Sequence, residues 1–268
     1  MDSGLVGKHI LITGASGGIG LITAKAFLAE GARVTGTFNH SKDNLQGLLN
    51  KWSDSLFPVK VNQTKEEEVQ ILFEKAVERF GRVDVLVANA GIANHEGVAV
   101  HDMTKEQWDR TLSTNLTGTF LCVKYFFRNL ERYKSDEAAL VMVGSTAGLF
   151  GEAWYSDYSA SKAGMHGLLM SLKNEIVHIA SKGRVNLVNP GWTLTPMAED
   201  ALNDQEMVTR ILQTVPMRKT AKPEDIANVI VYLASSKLAG HVSGQTINVA
   251  GGMEGRVLFT PGEIEPTD

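Results

Sequence analysis

Short apolar runs, rich in β-branched residues, alternate along the chain with longer stretches whose apolar positions recur at helical spacing. Most of the short runs are almost continuously apolar, which is typical of strands that are covered on both faces of a sheet. The alternation predicts right-handed crossovers and an α/β fold, with helices on both faces of a parallel sheet. Seven strands are predicted, at residues 9–13, 32–38, 57–61, 83–88, 139–144, 184–189 and 245–250.

The same pattern predicts one domain over residues 1–254, followed by a tail at 255–268. Within the domain, Thr64–Glu67 is predicted to begin a helix with a capping box and acidic residues in its first turn. Residues 190–206 lack a clear period and are expected to be irregular. The tail contains two prolines and three acidic residues, and we expect a surface arm or a partly disordered segment.

Composition narrows the class of protein. The chain has 268 residues, 43% of them hydrophobic and 21% charged, which is ordinary for a globular protein that buries a large core. Cys122 is its one cysteine, so an internal disulfide is excluded and a reducing compartment is compatible. A net charge of −4 gives no general attraction to nucleic acid or acidic membranes. No secretory or membrane-spanning segment is recognised, and we expect a cytoplasmic protein.

A glycine-rich turn follows the first predicted strand and matches two templates. Gly14, Gly18 and Gly20 place a flexible backbone at a helix N-terminus, where phosphate binds. The same turn fits the G-x-S-x-G elbow of serine hydrolases, with Ser16 as nucleophile. That elbow normally follows several earlier strands, which favours the phosphate interpretation. The alternative that this is a tight turn without a ligand remains open at this point.

Tyr158 and Lys162 lie four residues apart and therefore share one face of a predicted helix. A phenol ordinarily titrates near pH ~10. An ammonium about 4 Å away, at an effective dielectric constant of ~20, is worth about 4 kcal/mol, or roughly three pKa units. The spacing thus predicts a tyrosine with a lowered pKa that serves as acid and base, although a solvated helix pair is the alternative. Ser145 ends the preceding strand, whereas Tyr155 has no lysine at the same spacing.

Seven motifs follow one another along the chain: TGASGGIG (13–20), ANAG (88–91), STNLTG around Asn115, Ser145, YSASK (158–162), PGWTLT (190–195) and SGQTINVAGG (243–252). In this order and at these spacings, they resemble the short-chain dehydrogenase/reductase family from about Leu5 to Gly252. The resemblance implies a doubly wound (Rossmann) sheet of seven parallel strands and a homotetramer or homodimer. It also implies hydride transfer between a nicotinamide and a carbonyl or carbinol carbon of a small-molecule substrate.

The resemblance also assigns roles to individual residues. Tyr158 is expected to transfer the proton, Lys162 to lower its pKa and hold the nicotinamide ribose, and Ser145 to stabilise the developing alkoxide. Asn115 is expected to anchor a water, and capping of a local helix distortion can coexist with that role. No metal site is expected. The remaining implied cofactor contacts are Gly14, Ser16, Gly18, Ile19, Gly20, Asn62, Asn89, Gly91, Pro190, Gly191, Thr193 and Thr195.

The end of the second strand bears on the choice of cofactor. Asn39, His40 and Ser41 stand where an NAD-preferring site usually has an acid, and they could bind a 2′-phosphate. We therefore expect NADP(H) rather than NAD(H). Gly17 points the other way, because NADP-dependent relatives often carry a basic residue there. Asn62, where relatives commonly have an aspartate, also departs from the family pattern.

Substrate choice should depend on residues 92–96 and 148–157 and on a substrate loop at 190–215. Aromatic and apolar residues in these loops suit an apolar pocket, although some of them could merely pack the lid. A carbonyl reductase, a 3-oxoacyl reductase and a polyol dehydrogenase all fit. A catalytically silent dinucleotide-binding regulator or scaffold is the alternative function, and a serine hydrolase using Ser16 is a more remote one.

Overall fold

A computed structural model describes residues 2–264, apart from the side chain of Asp200. Within them seven parallel strands form one sheet, in the order β3-β2-β1-β4-β5-β6-β7. The strands are β1 (His9–Ile12), β2 (Arg33–Phe38), β3 (Leu56–Lys60), β4 (Val85–Ala88), β5 (Glu137–Val143), β6 (Lys182–Pro190) and β7 (Thr246–Val249). The predicted doubly wound α/β fold is confirmed, and every predicted strand is present with both ends within two residues.

Helices cover both faces of the sheet. They are α1 (Gly18–Ala29), α2 (Gln46–Lys51), α3 (Glu66–Phe80), α4 (Lys105–Leu112), α5 (Gly118–Arg132), α6 (Ala147–Phe150), α7 (Ser156–Glu175), α8 (Glu199–Asn203), α9 (Gln205–Leu212), α10 (Pro223–Ala234) and α11 (Ser236–Ala239). Short 3-10 turns lie at Asp43–Leu45, Ile176–His178, Pro196–Ala198 and Pro261–Glu263, and a π-helical segment at Ser113–Thr117 joins α4 to α5.

The core consists of two apolar layers, one on each side of the sheet. Alternate residues of β1 belong to opposite layers: Leu11 packs with α3, α5 and α7, whereas Ile10 and Ile12 pack with α1 and α10. All three are fully buried. Because successive strand side chains point to opposite faces, burial on both faces requires the nearly continuous apolar runs seen in the sequence.

The predicted capping box at the start of α3 is wrong. Lys65 is the N-cap residue, and the Thr64 hydroxyl donates to Oδ1 of Asn62 at 2.8 Å instead of capping the helix. Asn62 Oδ1 also accepts from the Thr64 amide at 3.1 Å. The acidic first turn is confirmed, with Glu66–Glu68 in it.

Residues 190–206, which we expected to be irregular, contain a 3-10 turn, α8 and the beginning of α9. Residues 255–264 of the tail are mostly exposed and are hydrogen-bonded to the domain, as expected of a surface arm, and 265–268 lie outside the described residues. Across residues 2–264, no helix combines the length and apolarity needed to cross a bilayer.

Arg184 in β6 joins the sheet to the end of α10. Its guanidinium is buried and donates to the carbonyls of Leu233 and Ala234 at 2.5 and 3.1 Å. These are the last carbonyls of α10, which have no partner within the helix and favour a cation. We expect Arg184→Met to lower the free energy of unfolding by about 3 kcal/mol, because both carbonyls lose a charged donor inside the protein. Urea denaturation measures the change.

The matched control is Arg33→Met, the same substitution at the exposed start of β2. It should change the free energy of unfolding by less than about 0.5 kcal/mol. Equal effects of the two substitutions would show that the buried guanidinium does not stabilise the end of α10.

Candidate active site

The carboxyl edge of the sheet gathers the residues that the sequence singled out. Gly14 follows β1, Asn89 follows β4, Ser145 lies just beyond β5, and Gly191 follows β6. The strand order reverses beside β1, which is flanked by β2 and β4. In open α/β sheets, ligands bind in the crevice at such a switch point.

Glycine is required in the turn after β1 because the backbone leaves no room for side chains. Gly14 has a φ of +68°, and a Cβ there would lie 2.9 Å from the Ala90 Cα. A Cβ on Gly20 would lie 2.2 Å from the carbonyl oxygen of Gly14. Any larger residue at either position would therefore push the turn apart.

Thr13 and Asn89 join this turn to β4. The Thr13 hydroxyl accepts from the amides of Asn89 and Ala90 at 3.0 and 2.9 Å. Nδ2 of Asn89 donates to the carbonyls of Thr13 and Gly14 at 2.9 and 3.2 Å. Asn89 thus supports the turn in this structure, and its predicted contact with a cofactor stays a prediction. Thr13 was not singled out, although a hydroxyl residue at a strand end was a usable signal.

The open side of the turn suits a diphosphate. Gly17 is extended, and the space where its Cβ would stand is empty to 4 Å. Among residues 2–264, no side chain caps the N-terminus of α1, which begins at Gly18. Its first amides, which include those of Ile19 and Gly20, lack partners within the helix and carry partial positive charge. The Thr195 methyl lies 3.3 Å from the Cβ position of Gly18, so the loop after β6 borders the same space.

The loop after β2 lies beside the turn. Asn39 and His40 are exposed and lie 3.4 Å apart, measured between Nδ2 and Nε2. The Ser41 hydroxyl accepts from the amide of Asp43 at 3.0 Å. Nδ2 of Asn44 donates to the carbonyl of Ser16 at 2.8 Å and so fixes this loop to the turn. Sequence reasoning missed Asn44, because its partner is distant in the chain.

Four other residues that we expected to contact the cofactor make hydrogen bonds within the protein. Asn62 holds the start of α3, as described above. The Pro190 carbonyl accepts from the Thr146 amide at 3.0 Å, and the Thr193 hydroxyl donates to the Gly191 carbonyl at 2.8 Å. Contacts of these residues with a nucleotide stay predictions.

Lys162 is buried in α7, with 5% of its surface exposed. Its Nζ donates to the carbonyl of Val143, at the end of β5, at 2.9 Å. The same atom lies 5.7 Å from the centroid of the Tyr158 ring. Burial lowers the pKa of Lys162 to about 8, because a charged ammonium is poorly solvated there.

The expected lowering of the Tyr158 pKa is wrong for the chain by itself. Burial raises the pKa of Tyr158, and a hydrogen bond with the Ser145 hydroxyl opposes that rise. The simple Coulomb argument fails because burial acts on both groups. It penalises the phenolate, and it also lowers the pKa of Lys162, whose Nζ donates to a carbonyl. The predicted grouping of Ser145, Tyr158 and Lys162 is nevertheless present.

Tyr155 lies in a different electrostatic setting. Burial and the carboxylates of Glu152, Asp157 and Glu96 raise its pKa. Its hydroxyl donates to the carbonyl of His95 at 3.4 Å. No carboxylate contributes to the shift of Tyr158, so the two tyrosines are distinguished by their neighbours.

Asn115 lies fully buried in the π-helical segment between α4 and α5. Oδ1 accepts from the Ile92 amide at 2.8 Å, while Nδ2 donates to the Ile92 carbonyl at 2.9 Å and to Oγ of Ser161 at 3.0 Å. A Cβ on Gly91 would lie 3.2 Å from Oδ1 of Asn115 and 3.3 Å from Nζ of Lys162. The predicted helix distortion is therefore present at Asn115, and the bound water stays a prediction.

Asp157 is a buried acid that sequence reasoning missed. Its Oδ2 accepts from Nδ2 of Asn94 at 2.9 Å, from Oγ1 of Thr111 at 2.7 Å and from Nε2 of Gln107 at 3.4 Å. It therefore joins α4 and the loop after β4 to the first turn of α7, directly before Tyr158. The acid next to the tyrosine was a signal, but its partners could not be found from spacing.

Apolar side chains reach the surface in the loops around this site. Trp154 is 65% exposed at a φ of +66°, and its carbonyl accepts from the Val98 amide at 2.8 Å. Leu194 and Met197, in the substrate loop, are also exposed.

No group of three or more His, Cys, Asp or Glu residues with metal-binding geometry occurs in the described part of the chain.

Comparisons with known proteins agree with this geometry. The family model described as "Enoyl-(Acyl carrier protein) reductase" matches residues 14–254. The 3-oxoacyl-[acyl-carrier-protein] reductase FabG of Thermotoga maritima is 36% identical over 256 residues, which are 93% of this chain and 98% of that protein. The 3-oxoacyl-[acyl-carrier-protein] reductase of Synechocystis sp. is 35% identical over 253 residues, with coverage of 93% and 98%.

The crystal structure of levodione reductase superposes with a TM-score of 0.85 at 26% identity, and the match covers 92% of this chain and 98% of that one. These matches span the glycine turn, the strand ends and the helix that carries Tyr158 and Lys162. The chain belongs to the short-chain dehydrogenase/reductase family of oxidoreductases.

Proposed function

We propose that this oxidoreductase reduces a ketone to a secondary alcohol at the expense of NADPH. One observation carries the proposal: the buried Lys162 ammonium lies 5.7 Å from the centroid of the Tyr158 ring and donates to the carbonyl of Val143, two residues before Ser145 at the carboxyl end of β5. Ser145 lowers the pKa of the Tyr158 phenol as a hydrogen-bonding neighbour, and two neighbouring hydroxyl donors can bind a single carbonyl oxygen and stabilise the charge that develops on it.

The chain's own residues fit a dinucleotide. The turn at Gly14 and Gly18 and the first amides of α1 would hold the pyrophosphate. Asn39, His40 and Ser41 would bind the 2′-phosphate, and Tyr158 and Lys162 the nicotinamide ribose. When bound, the nicotinamide supplies the hydride for the carbonyl carbon. Residues 1–254 form this cofactor-binding domain, with the substrate loop at 190–215.

The raised pKa of Tyr158 suits the reductive direction. The phenol keeps its proton at neutral pH, and an alkoxide is far more basic than a phenolate. Tyr158 therefore donates its proton to the substrate oxygen as general acid, while Ser145 donates a hydrogen bond to the same oxygen. Lys162 holds the end of β5 through Val143 and, with a pKa of about 8, supplies positive charge near the phenol at neutral pH.

Ketones and 3-oxoacyl thioesters are the substrates we favour, because the named relatives are 3-oxoacyl-[acyl-carrier-protein] and levodione reductases. The exposed apolar side chains at Trp154, Leu194 and Met197 suit an uncharged substrate. A homotetramer or homodimer, a cytoplasmic location and the lack of nucleic-acid or membrane partners belong to the same proposal. A silent regulator would bind NADPH without turnover, and a hydrolase would need Ser16 rather than Tyr158.

Tyr158→Phe tests the proton donor. We expect kcat for ketone reduction to fall by about 10³-fold, because the hydroxyl that protonates the alkoxide is lost. The Kd of NADPH should change by less than about threefold, because the glycine turn is intact. Initial rates at 340 nm and a fluorescence titration with NADPH measure the two quantities.

Tyr155→Phe is the matched control, since it removes a phenol three positions earlier in the chain. It should keep kcat within about threefold of the wild type. Full activity in Tyr158→Phe, or an equal loss in both variants, would contradict the assignment. Binding of NADPH without turnover over a panel of ketones, 3-oxoacyl thioesters, enoyl thioesters and sugars would favour the regulator.

Asn39→Asp tests the cofactor preference. A carboxylate at the end of β2 would repel a 2′-phosphate and accept a hydrogen bond from a 2′-hydroxyl. We expect the ratio of kcat/KM for NADPH to that for NADH to fall by about 30-fold, which corresponds to about 2 kcal/mol. Asn50→Asp, on the exposed side of α2, is the control that adds the same charge elsewhere. An unchanged ratio in Asn39→Asp would exclude this loop from the phosphate site.

Lys162→Met tests the buried ammonium. Burial lowers the pKa of Lys162 from 10.5 to about 8, so its cost to folding is fully present below pH 8 and disappears as the pH rises toward 10.5. Over that window the wild type should gain up to roughly 3 kcal/mol of unfolding free energy relative to the variant. Urea denaturation from pH 7 to 10.5 measures the difference. The exposed Lys182→Met should show no such trend, and a flat difference for Lys162→Met would refute the shift.

A further inference from the structure

The C-terminal segment beyond the family match has its own contacts with the domain. The family model ends at residue 254, and residues 255–264, here named the C-terminal strap, follow it. The strap begins where residues after β7 already pack against the chain that follows α9. A Cβ on Gly251 would lie 2.7 Å from Val215, and one on Gly252 would lie 3.1 Å from Pro216. The strap is therefore directed toward α9.

Three hydrogen bonds join the strap to one residue at the end of α9. The carbonyl of Gln213 accepts from the amides of Leu258 and Phe259 at 2.7 and 3.3 Å. Nε2 of Gln213 donates to the carbonyl of Phe259 at 2.8 Å. On the strap side all three bonds use the backbone, so they depend on the path of the strap rather than on one of its side chains.

Side chains hold the same junction. The Arg218 guanidinium lies 4.2 Å from the centroid of the Phe259 ring, a favourable cation–π distance. Thr260 and Glu263 cap the 3-10 turn that follows, with the Thr260 amide and hydroxyl donating to the carboxylate at 2.8 and 2.7 Å. The two bonds from Thr260 and the charge of Arg218 hold the pKa of Glu263 below its usual range.

The other end of the strap contacts residues 148–157, another segment on which substrate choice is expected to depend. Gly255 has a φ of +73°, and a Cβ there would lie 2.8 Å from Cδ1 of Phe150. Phe150 ends α6, which lies between Ser145 and Tyr158 in the chain. The strap thus spans from Phe150, five residues after Ser145 in the chain, to Gln213, the residue that follows α9. Both ends of that span lie in segments on which we expect substrate choice to depend, residues 148–157 and 190–215.

We propose that the C-terminal strap is a specificity-determining element of the substrate site. By fixing α9 to the Phe150 loop within one chain, it closes one side of the cleft and sets the largest substrate that can enter. The proposal therefore predicts that the intact protein reduces a compact ketone better than one with a bulky substituent. This inference rests on the proposed ketone reduction. None of the proposed nucleotide-binding residues is among the strap contacts described above.

The test compares two variants with a matched control. One variant ends at Glu254, and the other is the full chain with Gln213→Met and Phe259→Ala, which stays informative if truncation impairs folding. Arg256→Gln is the control in the strap, where the guanidinium contacts Glu254 at 2.8 Å. For each protein, kcat/KM is measured with NADPH for cyclohexanone and for 4-phenylcyclohexanone, together with the Kd of NADPH and hydrogen exchange of α9.

We expect the ratio of kcat/KM, cyclohexanone over 4-phenylcyclohexanone, to fall by about tenfold in both variants, through a lower KM for the bulky ketone. Amides of α9 should exchange faster, while the Kd of NADPH stays within about twofold and Arg256→Gln behaves as the wild type. Wild-type ratios in both variants would overturn the role of the strap. A wild-type protein that binds NADPH but reduces no ketone would instead refute the proposed function.

Discussion

Burial of Lys162 beneath the edge of the sheet is the interaction on which the site depends. Its Nζ donates to the Val143 carbonyl, so the catalytic helix α7 is fixed to the end of β5, the strand that leads to Ser145. The same burial lowers the pKa of the ammonium and raises that of the Tyr158 phenol. Low solvation therefore keeps the phenol protonated and ready to donate, while the Ser145 hydroxyl limits the rise. In the proposed function, this arrangement supports proton donation to a ketone without requiring a phenolate in the resting protein.

The fold could be predicted because its strands are buried on both faces. Leu11 packs on one side of the sheet and Ile10 on the other. The sequence of β1 is therefore an unbroken apolar run, which is typical of a strand buried on both faces. Helix boundaries were harder. Thr64 has the right residue type for a cap, but its hydroxyl is taken by Asn62, and only the folded turn decides between the two partners. The helices between residues 196 and 212 were missed because each of them is short, with at most eight residues.

Whether a site residue could be predicted depended on whether its partners are near it in the sequence. Ser145, Tyr158 and Lys162 were found because strand ends and helix spacing bring them together. Thr13 and Asp157 were missed, although each makes several hydrogen bonds, because their partners come from elements far along the chain. The direction of the Tyr158 shift was also beyond the sequence, since a spacing gives a distance between charges but not their solvation. The tail is a similar case: composition predicted a surface arm or a partly disordered segment, but not that Gln213 would supply a partner for its backbone.

The pKa of the Tyr158 phenol tests this account most directly. It can be measured by carbon NMR of protein labelled at the tyrosine ζ carbon, with Tyr158→Phe assigning the resonance. The account predicts titration above the ordinary phenol value of 10 in the free protein, and a still higher pKa in Ser145→Ala, because the hydroxyl that opposes the rise is removed. A Tyr158 phenol that titrates near neutrality in the free protein, or one that ignores the loss of Ser145, would contradict it.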